Sequence, residues 1–214
     1  MMIAVIGATG FVGQAIVAEA LARGHEVGAI ARHPEKLAEA PGLARIAGDV
    51  RDADAVAKLV AGYDYIVSAY NPGWTNPDIY NDYVKGAAAI VAGAKQAGLP
   101  LLVVGGAGSL EVSPGVQAVD LPEFPEAWRA GAKAARDGLN AIRKETVLDW
   151  TFLSPAALIE PEAPRTGRYR LGADNPVVDP ATGTSHVALA DLAVAIVDEA
   201  EQRRHVRQRF TVGV

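Results

Sequence analysis

Apolar residues fall along this chain in two alternating rhythms. Short aliphatic runs occupy 2–6, 26–31, 43–47, 64–68, 100–105 and 149–153. Between them lie stretches in which apolar positions return every three to four residues, at 11–23, 34–39, 52–61, 78–97 and 126–145. The first kind predicts strands and the second predicts amphipathic helices. Their regular alternation predicts βαβ units with right-handed crossovers, hence a parallel sheet covered by helices on both faces. The expected fold class is α/β, a Rossmann-like doubly wound sheet, with residues 1–214 forming a single domain. The breakers agree: Gly24 closes the first long helix, Pro34 opens the next, and Gly98 with Pro100 separates helix from strand.

Residues 154–189 interrupt the rhythm with Pro155, Pro161, Pro164, Pro176 and Pro180 and one short strand-like piece at Tyr169-Arg170-Leu171. A last helix at about 190–202 and a strand at about 208–213 close the chain. An irregular C-terminal part of this kind covers the crevice beyond the strand ends of a doubly wound sheet, so 154–189 is the expected substrate-covering segment.

Composition narrows the function classes. Of 214 residues 50% are hydrophobic, enough for a sizeable core, and the formal net charge of −5 argues against a nucleic-acid surface. The densest basic run, Arg203 to Arg209, is expected to cap the last helix, because cations suit a helix C-terminus. The absence of cysteine excludes disulfides, thiolate catalysis and cysteine metal sites. His25, His33, His186 and His205 show no metal-ligand spacing. No basic n-region precedes the first apolar run, and Lys95, Gln96 and Pro100 interrupt the other long one, so neither a signal peptide nor a membrane span is expected. A soluble cytoplasmic protein acting on a small molecule is the default, with its oligomeric state open and a homodimer one option.

The chemistry begins where the first strand ends. Ile3-Ala4-Val5-Ile6 runs into Gly7-Ala8-Thr9-Gly10-Phe11-Val12-Gly13, a strand, a glycine turn and a helix start in succession. Gly7 permits the sharp turn, Gly10 leaves no side chain between main chain and a pyrophosphate, and Gly13 lets helix and sheet approach. The helix then directs its amides and positive dipole end at the phosphates. After the second strand stands Arg32. A basic residue there meets a 2′-phosphate, where an acidic one would bind ribose hydroxyls, so NADP(H) is expected over NAD(H); a solvated arginine is the alternative. Asp49 and Val50 follow the third strand. They are read as contacts to adenine, with a plain loop aspartate equally open and Asp52 as the cap of the next helix.

Ser68 and Ala69 end the fourth strand, where small residues let the cofactor lie against the main chain, and Tyr70 and Trp74 would shape the acceptor side. Gly105 and Gly106 end the fifth strand and would admit a ring; Ser109 beyond them is the candidate for orienting a substrate carbonyl or carboxamide. Ser154 and Pro155 would form the crevice wall, Asp191 would cap or begin the last helix, and 110–125 is a candidate lid. His186 is expected to satisfy local groups and not to carry a proton for chemistry.

Several of these segments together resemble the atypical short-chain dehydrogenase/reductase superfamily, and within it the NADH-flavin reductase group related to NmrA-like and biliverdin reductase B-like proteins. They are the 7–13 motif, Ala31-Arg32, Gly48-Asp49-Val50, Ser68-Ala69-Tyr70, Val104 to Leu110, Asp149 to Ala156, and the 179–191 stretch with Ala190-Asp191-Leu192-Ala193. The resemblance covers nearly the whole chain. It implies a Rossmann-like fold, a nicotinamide cofactor and reduction of a flavin (FMN or FAD) as substrate. One departure matters. The Tyr-x-x-x-Lys pair of typical short-chain dehydrogenases is missing from 78–97: Tyr80 and Tyr83 precede Lys85 at the wrong spacings for a shared helix face. Hydride transfer to a flavin or quinone fits that absence, because its protonation can come from water. The alternatives are a non-catalytic dinucleotide-binding redox sensor, as NmrA-like proteins are, and a sugar-nucleotide epimerase or dehydratase.

Overall fold

The computed structural model describes all 214 residues. In chain order the elements are β1 (Met2–Ile6), α1 (Phe11–Ala22), β2 (Glu26–Ala31), β3 (Leu43–Ala47), α2 (Ala53–Leu59), β4 (Tyr65–Ser68), α3 (Ile79–Ala97) and β5 (Leu101–Val104). A small antiparallel hairpin, β6 (Glu111–Ser113) and β7 (Val116–Gln117), precedes α4 (Glu126–Ile142). Then come β8 (Trp150–Ser154), β9 (Leu158–Glu160), β10 (Arg170–Gly172), β11 (His186–Ala188), α5 (Leu189–Gln202) and β12 (Gln208–Gly213).

Eight strands form one sheet in the order β10-β12-β8-β5-β4-β1-β2-β3, parallel throughout except for β10. The order reverses between β1 and β4, which makes their carboxyl ends the topological switch point of the sheet. Alternate strand residues feed two cores. Ile3, Val5, Tyr65, Val67, Leu102, Val104, Phe210 and Val212 pack with α1 and α5. Ala4, Ile6, Ile66, Leu101, Val103, Trp150 and Phe152 pack with α2, α3 and α4. Burial on both faces explains why the strands read as continuous apolar runs and not as alternating ones.

The expected helix over 34–39 is a single 3-10 turn at Pro34–Lys36. Leu37 donates back to the Pro34 carbonyl (3.1 Å) and becomes extended, which buries its side chain against the α1 side of the sheet. The basic run after α5 opens with the C-cap of that helix: Arg203 is left-handed (φ +50°) and its amide donates to Glu199 O (2.8 Å). Arg203 and Arg207 reach Asp149 at the start of β8, and Arg209 turns inward from β12. No helix is long and apolar enough to cross a membrane.

Candidate functional site

The crevice starts with main-chain geometry at the switch point. Gly7 has φ +78°, and a Cβ on it would lie 2.5 Å from the Ala69 carbonyl oxygen, so β1 and β4 end in mutual contact. Ala69 N donates to Ile6 O (2.9 Å), closing that junction. Gly13, one turn into α1, would place a Cβ 2.1 Å from Gly7 O; the helix sits on its turn only because Gly13 has no side chain. Gly10 has a different role. It is exposed, has an ordinary φ of −78°, and an added Cβ would meet only Gly7 O at 3.2 Å. No side chain caps α1, and the first backbone bond into it is Gln14 N to Gly10 O. The amides of Phe11, Val12 and Gly13 therefore point out unpaired beside Thr9 and Gly10, as an anion site requires. Phe11 is exposed and Val12 half-buried at this mouth.

The neighbouring strand ends carry the charge. Arg32 follows β2, is exposed, and takes part in no hydrogen bond or ion pair with the rest of the chain. Asp49 leaves the end of β3 and is gripped by Arg51, whose Nε lies 3.1 Å from each carboxyl oxygen and whose Nη2 lies 2.6 Å from Oδ2. Those bonds hold the Asp49 carboxyl below the usual carboxylate range, with the Arg32 charge adding to the effect. Val50 is buried beneath them, and Asp52 accepts Ala55 N at 2.8 Å as the cap of α2.

On the acceptor side the sequence-predicted residues divide. Ser68 is buried, and Ala69 and Tyr70 are half-buried. The Tyr70 hydroxyl donates to Asp82 O (3.0 Å), and its ring fills the space over Gly86, where a Cβ would come within 2.4 Å of it. Burial, with the Asp82 charge behind it, pushes this phenol above its ordinary value. Tyr70 is thus tied to α3 as part of the wall and is poorly suited to give up a proton. Trp74 is 56% exposed and rests an edge of its ring on Gly131 of α4.

Gly105 is required by packing: a Cβ there would lie 2.2 Å from the ring of Phe152, which occupies that space. Gly106 keeps a free approach, its nearest neighbour being Ala135 at 4.0 Å. Ser109 is buried, not open to the crevice. Its Oγ lies 3.4 Å from Ser154 Oγ and accepts from Arg209 Nη1 at 3.4 Å. Ser154 and Pro155 are likewise buried, backing the crevice from within.

Arg209 is the residue that sequence reasoning missed. It is buried, pairs with Asp174 of the covering segment, and donates to Ser109 O and Ser154 Oγ (both 3.3 Å). The one available signal was strand periodicity, which places Arg209 on the opposite face from the core residues Phe210 and Val212.

The remaining candidates take structural places. Arg129 of α4 donates to the carbonyls of Val119 and Phe124 (both 2.7 Å) and of Leu121 (3.3 Å), which fastens the 110–125 loop. Asp191 sits in the first turn of α5 but accepts Thr166 N (2.9 Å), Thr166 Oγ1 (2.6 Å) and Gly167 N (2.7 Å), so it anchors the covering segment and does not cap the helix. His186 lies between Glu160 (3.0 Å) and Asp179 (3.3 Å). Tyr83 is buried, Tyr80 donates to Asp137 (2.6 Å), and α4 contains no tyrosine, so neither helix supplies a tyrosine–lysine pair.

A glycine turn at a switch point, an uncapped helix start and a free cation on the next strand define a dinucleotide-binding protein of the Rossmann class. The profile of the NAD(P)H-binding family matches residues 7–202, and the chain belongs to that family. It is 37% identical over 214 residues to the uncharacterized Bacillus subtilis protein YwnB, covering 99% of this chain and 98% of that one. Among solved structures it is similar to a Bacteroides thetaiotaomicron protein provisionally called an epimerase, with 45% identity, TM-score 0.91 and coverage of 99% and 96% of the two chains. It is also similar to a Streptococcus pneumoniae protein provisionally called an NADH-flavin reductase, with 34% identity, TM-score 0.87 and coverage of 100% and 99%.

Proposed function

We propose that this NAD(P)H-binding protein is an NADP(H)-dependent reductase whose acceptor is a planar ring, a flavin or a quinone. The observation that carries the reading is the asymmetry of the crevice. One side is a bare cradle of unpaired amides next to an unpaired arginine; the other offers no side chain poised to transfer a proton. Nicotinamide, when bound, supplies a hydride. The chain's own residues do the rest. The 7–13 turn holds the pyrophosphate, and Arg32 binds the 2′-phosphate through its fork. Gly106 leaves room for close approach, and exposed Trp74 offers a face for stacking an acceptor ring. A ketone or alcohol substrate needs an acid of matched pKa, whereas a reduced flavin or quinone takes its proton from water. The name of the Streptococcus pneumoniae relative supports the same direction.

The test is oxidation of NADPH by the purified protein with FMN or a simple quinone. Turnover is expected, and Arg32→Ala should weaken NADPH about tenfold while sparing NADH, the loss of roughly one charge-assisted hydrogen bond. Tight dinucleotide binding without turnover on any flavin or quinone would overturn the reductase reading in favour of a sensor. A protein that prefers NADH would overturn the role given to Arg32.

A further inference from the structure

The loop between β3 and α2 lies directly against the end of β2. Ala31 pairs with Ala47 in register, and Gly48 N donates to Ala31 O (3.1 Å). Arg32 and residues 48–51 therefore leave neighbouring strands side by side. Arg51 is forked onto Asp49, and Asp49 also feels the charge of Arg32, which has no partner; the Asp82 carboxylate of α3 acts on Arg51 as well. Both members of that fork are about half exposed, at 49% and 52%. The Arg51 main-chain amide also donates to Asp49 Oδ1 (3.0 Å), so the carboxylate closes a short loop on itself. Arg51 Nη1 makes no bond within the chain, leaving donors free on the guanidinium.

We propose that Arg51 is a second cation for the cofactor's 2′-phosphate, and that Asp49 is the counter-ion holding it in place until the phosphate arrives. This rests on the dinucleotide reading above and deepens it: preference for NADPH is set by a triad, not by Arg32 alone. In the free protein Arg32, Asp49 and Arg51 sum to one positive charge. A phosphate group brings between one and two negative charges and three acceptor oxygens, enough to engage two guanidinium forks. An exposed ion pair of neighbouring residues holds its partners weakly, so Arg51 exchanges one oxygen acceptor for another at little cost. Asp49 then has a role that hydrogen bonding to adenine does not cover. Its charge faces the phosphate and moderates NADPH affinity, while NADH, lacking the 2′-phosphate, is indifferent to it.

The experiment is a fluorescence titration of the full-length protein with NADPH and with NADH, read as the ratio of the two affinities. Arg51→Gln should weaken NADPH about five- to tenfold and leave NADH within about twofold. Asp49→Asn should move the ratio the other way, by a few-fold in favour of NADPH, even if loss of an adenine contact weakens both cofactors together. A steeper loss of NADPH than of NADH affinity with added salt should accompany the wild-type preference. An Arg51→Gln protein whose ratio is unchanged, or in which both cofactors weaken in step, overturns the proposal, because Arg51 then serves what the cofactors share or serves neither. The two failures are distinguishable. If wild type prefers NADPH and loses that preference only in Arg32→Ala, Arg51 alone is misassigned. If wild type prefers NADH or binds neither, the reading of the whole site falls and takes this proposal with it.

Discussion

The two sides of the crevice are built by different means. The dinucleotide side is made of main chain. Its elements are Gly7, Gly10 and Gly13, the ends of four adjacent strands, and residues no more than a few positions from those ends. The covering side is held by side chains that reach across the chain. Arg165 grips Glu19 of α1 from 146 positions away (2.8 Å), Thr166 and Gly167 hang on Asp191, and Asp174 pairs with buried Arg209. The pyrophosphate turn of the first side needs absences, of side chains and of a cap, and its charged groups follow directly from where β2 and β3 end. The second needs pairs, each partner chosen by the finished fold.

The largest expected effects separate two glycines of the same turn, Gly13 and Gly10. Gly13→Val places its branched carbon inside the Gly7 carbonyl and should cost roughly 3 kcal/mol or more of stability, read by chemical denaturation. Gly10→Val has a compatible φ and a single tight contact, its Cβ 3.2 Å from Gly7 O, and should cost only about 1 kcal/mol while abolishing dinucleotide binding in the same titration used above. Equal stabilities for the two variants would erase the distinction drawn between them.

A smaller loss is expected on the covering side. Asp191→Ala removes the acceptor of two amides and one hydroxyl, and should destabilise by about 2 kcal/mol. The visible result should be rapid protease cleavage near 160–170 with the sheet still folded; resistance equal to wild type would show that the anchor lies elsewhere. Smallest of all is a pH effect. Hydrogen bonds from His186 to Glu160, then to Asp179, raise its pKa above the ordinary 6.5. A group raised in the folded state contributes its stabilisation fully below the unfolded value, and loses it as pH climbs through the folded one. Amide exchange around β9 and β11 should therefore quicken as pH rises above 6.5 beyond the intrinsic trend, and His186→Gln should remove the extra acceleration. An identical profile in the variant would dismiss the histidine as the cause.

Legibility in the sequence follows the same division. The eight strands of the main sheet, the glycine turn and the cap at Asp52 were readable because each is a local pattern imposed by backbone geometry; the short strands β6, β7, β9 and β11 were not read. Arg32 was readable because its place depends only on where β2 ends. The burial of Ser109 was not, since the groups that enclose it, Ser154 and Arg209, are 45 and 100 positions away. Gly105 shows the same limit: a glycine announces a close approach but not by what, and here Phe152 already takes up its Cβ space. The tie of Tyr70 to α3 was out of reach too, since its acceptor, the Asp82 carbonyl, lies 12 positions on and is brought up by the fold.

The antiparallel strand β10 carries a consequence for behaviour in concentrated solution. Without it β12, five of whose six residues are buried, would present a long row of unpaired amides and carbonyls at the sheet margin. β10 covers that row with only three residues, one of them Arg170, whose guanidinium is spent on the carbonyls of Val178 and Val214. So short a margin offers a foreign strand little to zip onto and guards this one edge of the sheet, opposite β3, against pairing with another chain.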